Sequence, residues 1–522
     1  MNPKQQILKS SMVVSFFNLL GGLSGILVET SIAANLGLSQ RSDTFYVAYT
    51  IPYIITTLLT ATGQFSLVPF FASLDTSRDE EEVWRGFSYV ANIIFLGMSA
   101  IAIVGAAASP WITHGIAPGF THQQDVVATQ LCRWLFIIIV PAGVGEVMRS
   151  FLLSRHYFGL STASGFIRNV ASIAFIVLGF HRYGLQSIFL GYLAGYLLQL
   201  VVLGMQIAVS FRPRYSLTLT AKGESFSNLR GAGTAQLAGA LAWQGVVVVE
   251  RIIASFLPPG TLTALNYGFR ILSSLAELLG GSVGTAALPM LSRAVSLGNR
   301  EEEHKTFRDT LEISMLLLSP IAVFCLVLPH NIMRLVFQRG QFTPGATGVM
   351  TLIFVYYSLS LLPFAFLRLL NFCLFARREP GTYVRLSLFH YSLVLVFDLF
   401  YVGIMRAGPK GIPLGFLTAS LLACGLAVRR NLAGLDMTLN RVLGRFAWKN
   451  LVAAGFSALS VIALRFWVPP AETNLQDFGF LCLTCGLGSV AYLATLAALR
   501  ALPITQLIFV WSREDASGGN LT

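Results

Sequence analysis

Residues Leu262–Arg293 read LTALNYGFRILSSLAELLGGSVGTAALPMLSR, an apolar run with one arginine, Arg270, set well inside it. An arginine at the centre of a membrane helix costs about 2.5–3.5 kcal/mol on biological insertion scales, so a chain that keeps one usually faces it into protein or a water-filled cavity. A guanidinium offers a planar fork of donors suited to phosphate oxygens and holds its charge at any working pH. Arg270 is therefore the first candidate functional residue.

The rest of the chain repeats the apolar character of this stretch. Of 522 residues, 55% are hydrophobic and only 11% charged, and the mean hydropathy is +0.68. A water-soluble domain of this size does not carry that composition. A bilayer span takes about 20 apolar residues, and helices satisfy their own backbone hydrogen bonds in lipid. The fold class is all-α, a polytopic membrane protein. Apolar runs between polar breaks give fourteen spans, beginning near Ser11, Asp43, Trp84, Val126, Leu160, Gly184, Gly231, Thr261, Phe307, Ala346, Tyr383, Gly411, Phe446 and Phe478.

The net charge of +12 lies mostly in short connections between spans, with no Lys/Arg block carrying interleaved aromatics, so it reports topology and not a nucleic-acid partner. Alternate connections hold Arg78 and Arg85, Arg155, the group from Arg212 to Arg230, Arg293 to Arg308, Arg377 to Arg385, and Arg429 to Lys449. The opposite side holds only Arg41, Arg182, Arg334, Arg339, Arg406 and Lys410. The positive-inside rule places both termini in the cytoplasm. The N-terminus is too poor in apolar residues before the first span for a cleavable signal and reads as a retained first helix. The tail from Arg500 reads as a surface-lying amphipathic stretch with a polar end.

Laid on itself at an offset of about 220 residues, the chain shows an internal repeat. ETSIAANLG from Glu29 falls on ERIIASFLP from Glu250, GQFSLVPFFAS from Gly63 on GTAALPMLSRA from Gly284, and Glu80–Glu82 on Glu301–Glu303. An even number of spans separates the copies, so both insert in the same orientation. This is a parallel repeat of the alternating-access kind, with a site expected near the midplane. The expected organisation is a six-helix lobe at 1–221, a second at 222–435, and two further helices with a tail at 436–522. Prolines at 52, 69, 141, 289 and 363 fall in or at the ends of spans, where they permit bends.

Enzyme signatures such as HExxH, a P-loop or Gly-x-Ser-x-Gly are missing from the sequence, and the longest connection, Phe211 to Arg230, is short and basic. The reading is a transporter and not an enzyme. The six cysteines all fall inside apolar runs; Cys482 and Cys485 form a mid-span CxxC that reads as packing, and no metal site is expected. Chemistry then rests on charges inside the membrane: Glu29 and Asp43 in the first repeat, and Glu250, Arg251, Arg270 and Glu277 in the second. Glu146 and Arg149, three apart on one helix, read as a mutually neutralising pair. Arg133, Arg168 and Arg465 read as snorkelling from span ends. Arg368 lies deep enough to line a cavity, and Asp398, in LVFDLFYVG, is a candidate cation or proton site.

The quoted stretch, with RLVFQRGQFTPGATGVM from Arg334, SDTFYVAYTIPY from Ser42 and GQFSLVPFFASL from Gly63, resembles the MurJ/MviN lipid II flippases of the multidrug/oligosaccharidyl-lipid/polysaccharide exporter superfamily. The resemblance covers nearly the whole chain. It implies a flippase that carries an undecaprenyl-pyrophosphate-linked sugar precursor from the inner to the outer leaflet of the bacterial cytoplasmic membrane. It also implies a cationic central cavity and a lipid-tail groove from the last two helices. The family's essential arginine in span eight matches Arg270, and its acidic residue at the start of span two matches Asp43. Where typical members carry arginines in spans one and two, this chain has Glu29 and Thr30, and Thr56 and Thr57. Losing one charge-assisted contact is worth about 1.5–3 kcal/mol, enough to change specificity. On this reading Arg270, Asp43, Glu29, Arg251 and Arg368 bind substrate, and Asp398 and Glu250 serve ion coupling. No cofactor is expected beyond a coupling cation, Na+ or H+, or the membrane potential. Expected partners are the lipid-linked glycan, membrane lipids and cell-wall synthesis enzymes. Another polyprenyl-linked oligosaccharide, of an exopolysaccharide or capsule, is the alternative substrate, and an ion-coupled small-molecule exporter a further one.

Overall fold

The computed structural model describes residues 3–75, 80–219, 234–429, 437–467 and 474–501. The amphipathic tail beyond Arg500, both expected lobe boundaries, and Arg78, Lys222, Arg230 and Arg430 of the basic loops lie outside them.

Every regular element among the described residues is helical, as a backbone without water to bond demands. In chain order they are α1 (Pro3–Leu36), α2 (Gln40–Thr62), α3 (Val68–Asp75), α4 (Glu80–Ile116), α5 (His122–Leu135), α6 (Ile139–Ser154), α7 (Phe158–Tyr183) and α8 (Gln186–Ser210). There follow α9 (Thr234–Ala254), α10 (Thr261–Leu275), α11 (Ser282–Ser296), α12 (Arg300–Val327), α13 (Pro329–Phe337), α14 (Pro344–Leu359) and α15 (Leu361–Ala376). The last are α16 (Pro380–Asp398), α17 (Gly411–Arg429), α18 (Met437–Trp467) and α19 (Asn474–Ala498).

Local sequence sets the starts. Ser39 caps α2 through a capping box with Ser42, each side chain accepting from the other's backbone N–H at 3.3 and 3.0 Å. Thr121 and Gln124 do the same for α5, and Asn299 caps α12 through the Glu302 N–H at 3.1 Å.

Among the described residues, twelve helices are long and apolar enough to cross a bilayer, or thirteen when α14 and α15, broken at Ser360, count as one span. The stretch quoted at the outset, which carries Asn266, Arg270, Glu277 and Arg293, is not among these helices. It is helical throughout, however, as α10, a π-helical turn at Ala276–Gly281, and α11. With it the count reaches the fourteen of the sequence reading. The chain is a multi-pass, all-α membrane protein.

The repeat has a structural counterpart. The offset that carries Glu29 to Glu250 carries Gln40, where α2 begins, to Thr261, where α10 begins. Each helix then passes through a π-helical turn, Gly63–Leu67 in one and Ala276–Gly281 in the other, into α3 or α11. Such turns release part of the backbone ladder and commonly mark functional bends.

Residue contacts divide the chain into two compact units, one of residues 1–274, 336–353 and 380–419, the other of 275–335, 354–379 and 420–522. In the first, α7 lies along α8 and α1, α2 beside α5 and α9, and α9 beside α16. Trp84, Phe71, Phe87, Phe151 and Phe211 fill an aromatic core here, with Phe87 and Phe151 centroids 5.0 Å apart. In the second, α12 packs on α11, α15 and α18, and α18 along α19. Lipid gives helices no hydrophobic reason to associate, so packing and buried polar bonds do the joining. Asn450 donates to Ser319 at 2.7 Å and accepts from Tyr492, and Ser457 donates to the Gly488 carbonyl at 2.9 Å.

Candidate functional site

Between α1, α2, α7, α8, α9 and α10, all in the first unit, lies a cavity of about 240 Å³. Helical periodicity decides its lining. Tyr46, Tyr49, Tyr53, Thr56, Thr57 and Thr60 recur at three- and four-residue steps and so form one face of α2. At 1.5 Å per residue that face runs about 21 Å. Gly21, Gly25, Val28 and Glu29 face it from α1, Arg168 and Asn169 from α7, and Tyr192 and Tyr196 from α8. Arg251 closes it from α9, and Asn266 and Arg270 from α10.

Three guanidiniums and one carboxylate therefore share the space, which gives it a cationic excess. Arg270 reaches across to α1, where a Cβ on Gly25 would stand 2.7 Å from its Nη2; only a bare backbone lets the guanidinium lie there. Arg251, 9% exposed, donates to Asn266 Oδ1 at 3.3 Å. The Nε of each of these two arginines is buried with no acceptor among the described residues. Arg168 lies over the Tyr196 ring at 4.9 Å, a cation–π contact that holds its charge at the wall. Asn169 beside it is tied to α1 through Ser24 Oγ at 3.0 Å. Glu29 accepts a hydrogen bond from the Tyr46 hydroxyl and lies within electrostatic reach of Arg270 and Arg251.

One end of the cavity is closed by buried contacts centred on Asp43, which is 5% exposed. Its Oδ2 accepts from the Gly260 N–H at 2.6 Å, and its Oδ1 from the Thr263 N–H at 2.9 Å and the Thr263 hydroxyl at 2.6 Å. The carboxylate thus caps, from α2, the N-terminus of the helix that carries Arg270, where orphan donors and the helix dipole both favour an anion. Gly260 turns with φ +85, and a Cβ there would stand 2.9 Å from Leu38. The Gly119 N–H donates to Ser255 Oγ at 3.1 Å, and the Gln341 N–H to the Ala34 carbonyl at 2.8 Å. Phe337 stacks on Tyr267 at 4.8 Å and on Phe342 at 5.7 Å, so the FQRGQF segment is pinned to the same end.

Of the residues singled out from the sequence, Arg270, Arg251 and Glu29 meet in the cavity, and Asp43 stands at its closure. Asp398 and Glu250 do not line it. Asp398, wholly buried at the end of α16, has neither carboxylate oxygen bonded to a donor among the described residues. It packs against Gly415 of α17, whose missing side chain leaves it room, and lies within electrostatic reach of Glu250. Arg368 also stands apart, paired with Glu277 in the second unit.

Glu146 and Arg149 form a two-pronged pair, at 2.6 and 3.0 Å, as their spacing implies. Arg133 and Arg465 are exposed. The sequence pattern makes Arg168 a snorkelling residue, yet the structure places it on the cavity wall near the middle of α7. The available signal was its depth in the span and the adjacent Asn169, a second polar group that lipid would not tolerate. The tyrosines were missed because single phenols in apolar runs look like interfacial anchors; only their three- and four-residue steps along α2 show a common face.

The family model described as "Lipid II flippase MurJ" matches residues 32–470. A protein of Burkholderia cenocepacia named "Lipid II flippase MurJ" is 25% identical over 442 residues, covering 81% of this chain and 84% of that protein. One of Rhizobium meliloti, named "Probable lipid II flippase MurJ", is 27% identical over 493 residues, covering 90% and 89%. Among solved structures, "Lipid II flippase MurJ, inward closed conformation" superposes with a TM-score of 0.75 at 18% identity, over 93% of this chain and 98% of that one, a likeness of fold. With the family model spanning most of its length, this chain belongs to the MurJ family of membrane flippases.

Proposed function

We propose that the chain moves lipid II, the undecaprenyl-pyrophosphate-linked peptidoglycan precursor, from the cytoplasmic to the outer leaflet of the bacterial inner membrane by alternating access. The observation that carries this reading is the cavity itself, where Arg168, Arg251 and Arg270 converge on one space. A pyrophosphate diester carries two negative charges, and three guanidiniums less one carboxylate offer two positive ones. The family membership and the relatives' names support the substrate.

Both termini are cytoplasmic on the positive-inside reading, so the Asp43 end of the cavity faces outward and the described state is closed to the outside. The repeat lobes, 1–221 and 222–435, exchange this state for its opposite, and the last two helices hold the lipid tail. The coupling cation, Na+ or H+, binds at Asp398 with Glu250, two carboxylates within electrostatic reach of each other, Asp398 buried with no donor bonded to it among the described residues. Cell-wall synthesis enzymes receive the flipped precursor.

Translocation of fluorescent lipid II in proteoliposomes containing the purified chain tests the proposal. Flipping that is lost in Arg270→Ala supports it. A folded protein that leaves lipid II in place would redirect the search to another polyprenyl-linked oligosaccharide, of an exopolysaccharide or capsule. A specific observation favours that second reading: Glu29, Thr56 and Thr57 line the cavity where typical members have arginines.

A further inference from the structure

The cavity is chemically two-sided, and the repeat shows how. The offset that lays Glu29 on Glu250 and Tyr46 on Tyr267 lays Tyr49 on Arg270 and Thr30 on Arg251. Equivalent positions thus carry a guanidinium in the second copy and a phenol or hydroxyl in the first. On the first-copy side the rings are braced into a stack. Tyr49 lies parallel to Tyr192 at 5.0 Å and to Phe45 at 5.7 Å, and Tyr53 continues the series at 5.6 Å, tilted by 51°. Phe45 is fully buried behind it, while Tyr53, midway along the α2 lining, is 36% exposed. Arg270 lies within electrostatic reach of Tyr53, so the stack ends beside the cation.

We infer that Tyr53, held by the Tyr49–Tyr192 stack, is a specificity-determining platform for the sugar attached directly to the pyrophosphate, with Arg270 taking the adjoining phosphate. This rests on the proposed lipid-linked glycan substrate and names the part of it that the cavity reads. A pyranose presents an apolar C–H face that gains by lying on an aromatic ring, and its hydroxyls suit a wall of phenols and threonines. A prenyl chain would leave those hydroxyls without partners. The volume, about 240 Å³, is below the roughly 300–1,000 Å³ of pockets that enclose drug-sized ligands. It suits a pyrophosphate and one sugar, not a whole oligosaccharide. The two-sidedness of the cavity matches the two-sidedness of that fragment, charged at one end and neutral at the other.

The test is equilibrium binding to the full chain in nanodiscs of two probes: undecaprenyl pyrophosphate, and the same lipid with one N-acetylhexosamine on its pyrophosphate. Wild type is expected to hold the glycosylated probe about tenfold more tightly, the size of one good aromatic contact. Tyr53→Leu removes that preference and leaves the bare lipid within twofold, Tyr53→Phe keeps it, and Arg270→Ala weakens both probes. Equal binding of the two probes by wild type, or equal loss of both in Tyr53→Leu, overturns the platform but not the flippase reading. Wild type that binds neither probe overturns the flippase reading itself. A Tyr53→Phe protein that behaves like Tyr53→Leu overturns stacking in favour of the hydroxyl.

Discussion

Replacing Asp43 unlatches one end of the cavity, and the size of the effect follows from three bonds. The carboxylate accepts from Gly260 N–H, Thr263 N–H and Thr263 hydroxyl at 2.6, 2.9 and 2.6 Å in a buried setting. Hydrogen bonds to a charged group are worth about 1.5–3 kcal/mol each, but two of these share one oxygen and water replaces them on opening. A net of about 3 kcal/mol for Asp43→Ala is a conservative sum, a shift of roughly 150-fold in the open-to-closed ratio. Asp43→Asn keeps one carbonyl oxygen and loses the charge, so about half of that energy, near tenfold, is expected. Thr263→Val removes only the hydroxyl bond and shifts the ratio about fivefold. The readout is reaction of a cysteine at Thr57, on the cavity lining, with a membrane-impermeant maleimide added to spheroplasts. The background is a variant with its six cysteines replaced, used once its transport has been checked against wild type. Labelling from outside should rise in the order Thr263→Val, Asp43→Asn, Asp43→Ala. Unchanged labelling across the series, at normal protein levels, would mean that this contact does not hold the cavity shut.

Other changes separate charge from space and coupling. Arg270→Ala should abolish transport, a loss of a hundredfold or more if two charge-assisted bonds go, while membrane insertion read by protease protection stays intact, since removing a buried charge eases insertion. Gly25→Ala keeps every charge but puts a methyl 2.7 Å from Arg270 Nη2; transport should fall about tenfold with the protein still folded, and a normal rate would remove Gly25 from the site. Glu29→Gln should tighten binding of undecaprenyl pyrophosphate several-fold, because it takes one negative charge away from Arg251 and Arg270, and unchanged affinity would leave Glu29 without a role in substrate charge balance. Asp398→Asn should abolish the dependence of flipping on an imposed Na+ or H+ gradient without changing lipid binding, and gradient-driven transport that persists would place coupling elsewhere.

The sequence carried the fold because lipid leaves the chain so few options. Runs of apolar residues became helices, and the span Thr261–Ser296 was legible through the arginine it carries. The repeat was legible too, since its two copies begin their second helices at equivalent residues, Gln40 and Thr261. What spacing within one helix cannot give is the distance between helices. Arg270, Arg251 and Glu29 could be named from their cost in lipid, but nothing in the sequence joins them to Arg168, which sits on α7 and meets them only when α7 packs along α1. Arg368 and Asp398 carry the same cost and go elsewhere, each to a partner on another segment: Glu277 for Arg368 and, by electrostatic proximity, Glu250 for Asp398.

Asp43 shows the same limit from the other side. An acid in the first turn of a helix usually stabilises its own N-terminus, and sequence alone would assign it there. Ser39 and Ser42 already cap α2 through their mutual bonds, which leaves the Asp43 carboxylate free to serve another helix. It serves α10, the helix of Arg270. The residue that closes the cavity and one of the three that give it charge are thus joined through one short helix, so any movement that pulls α10 from Asp43 also moves the Arg270 guanidinium. Substrate release and opening need no separate signal between them: the same rigid element takes part in both.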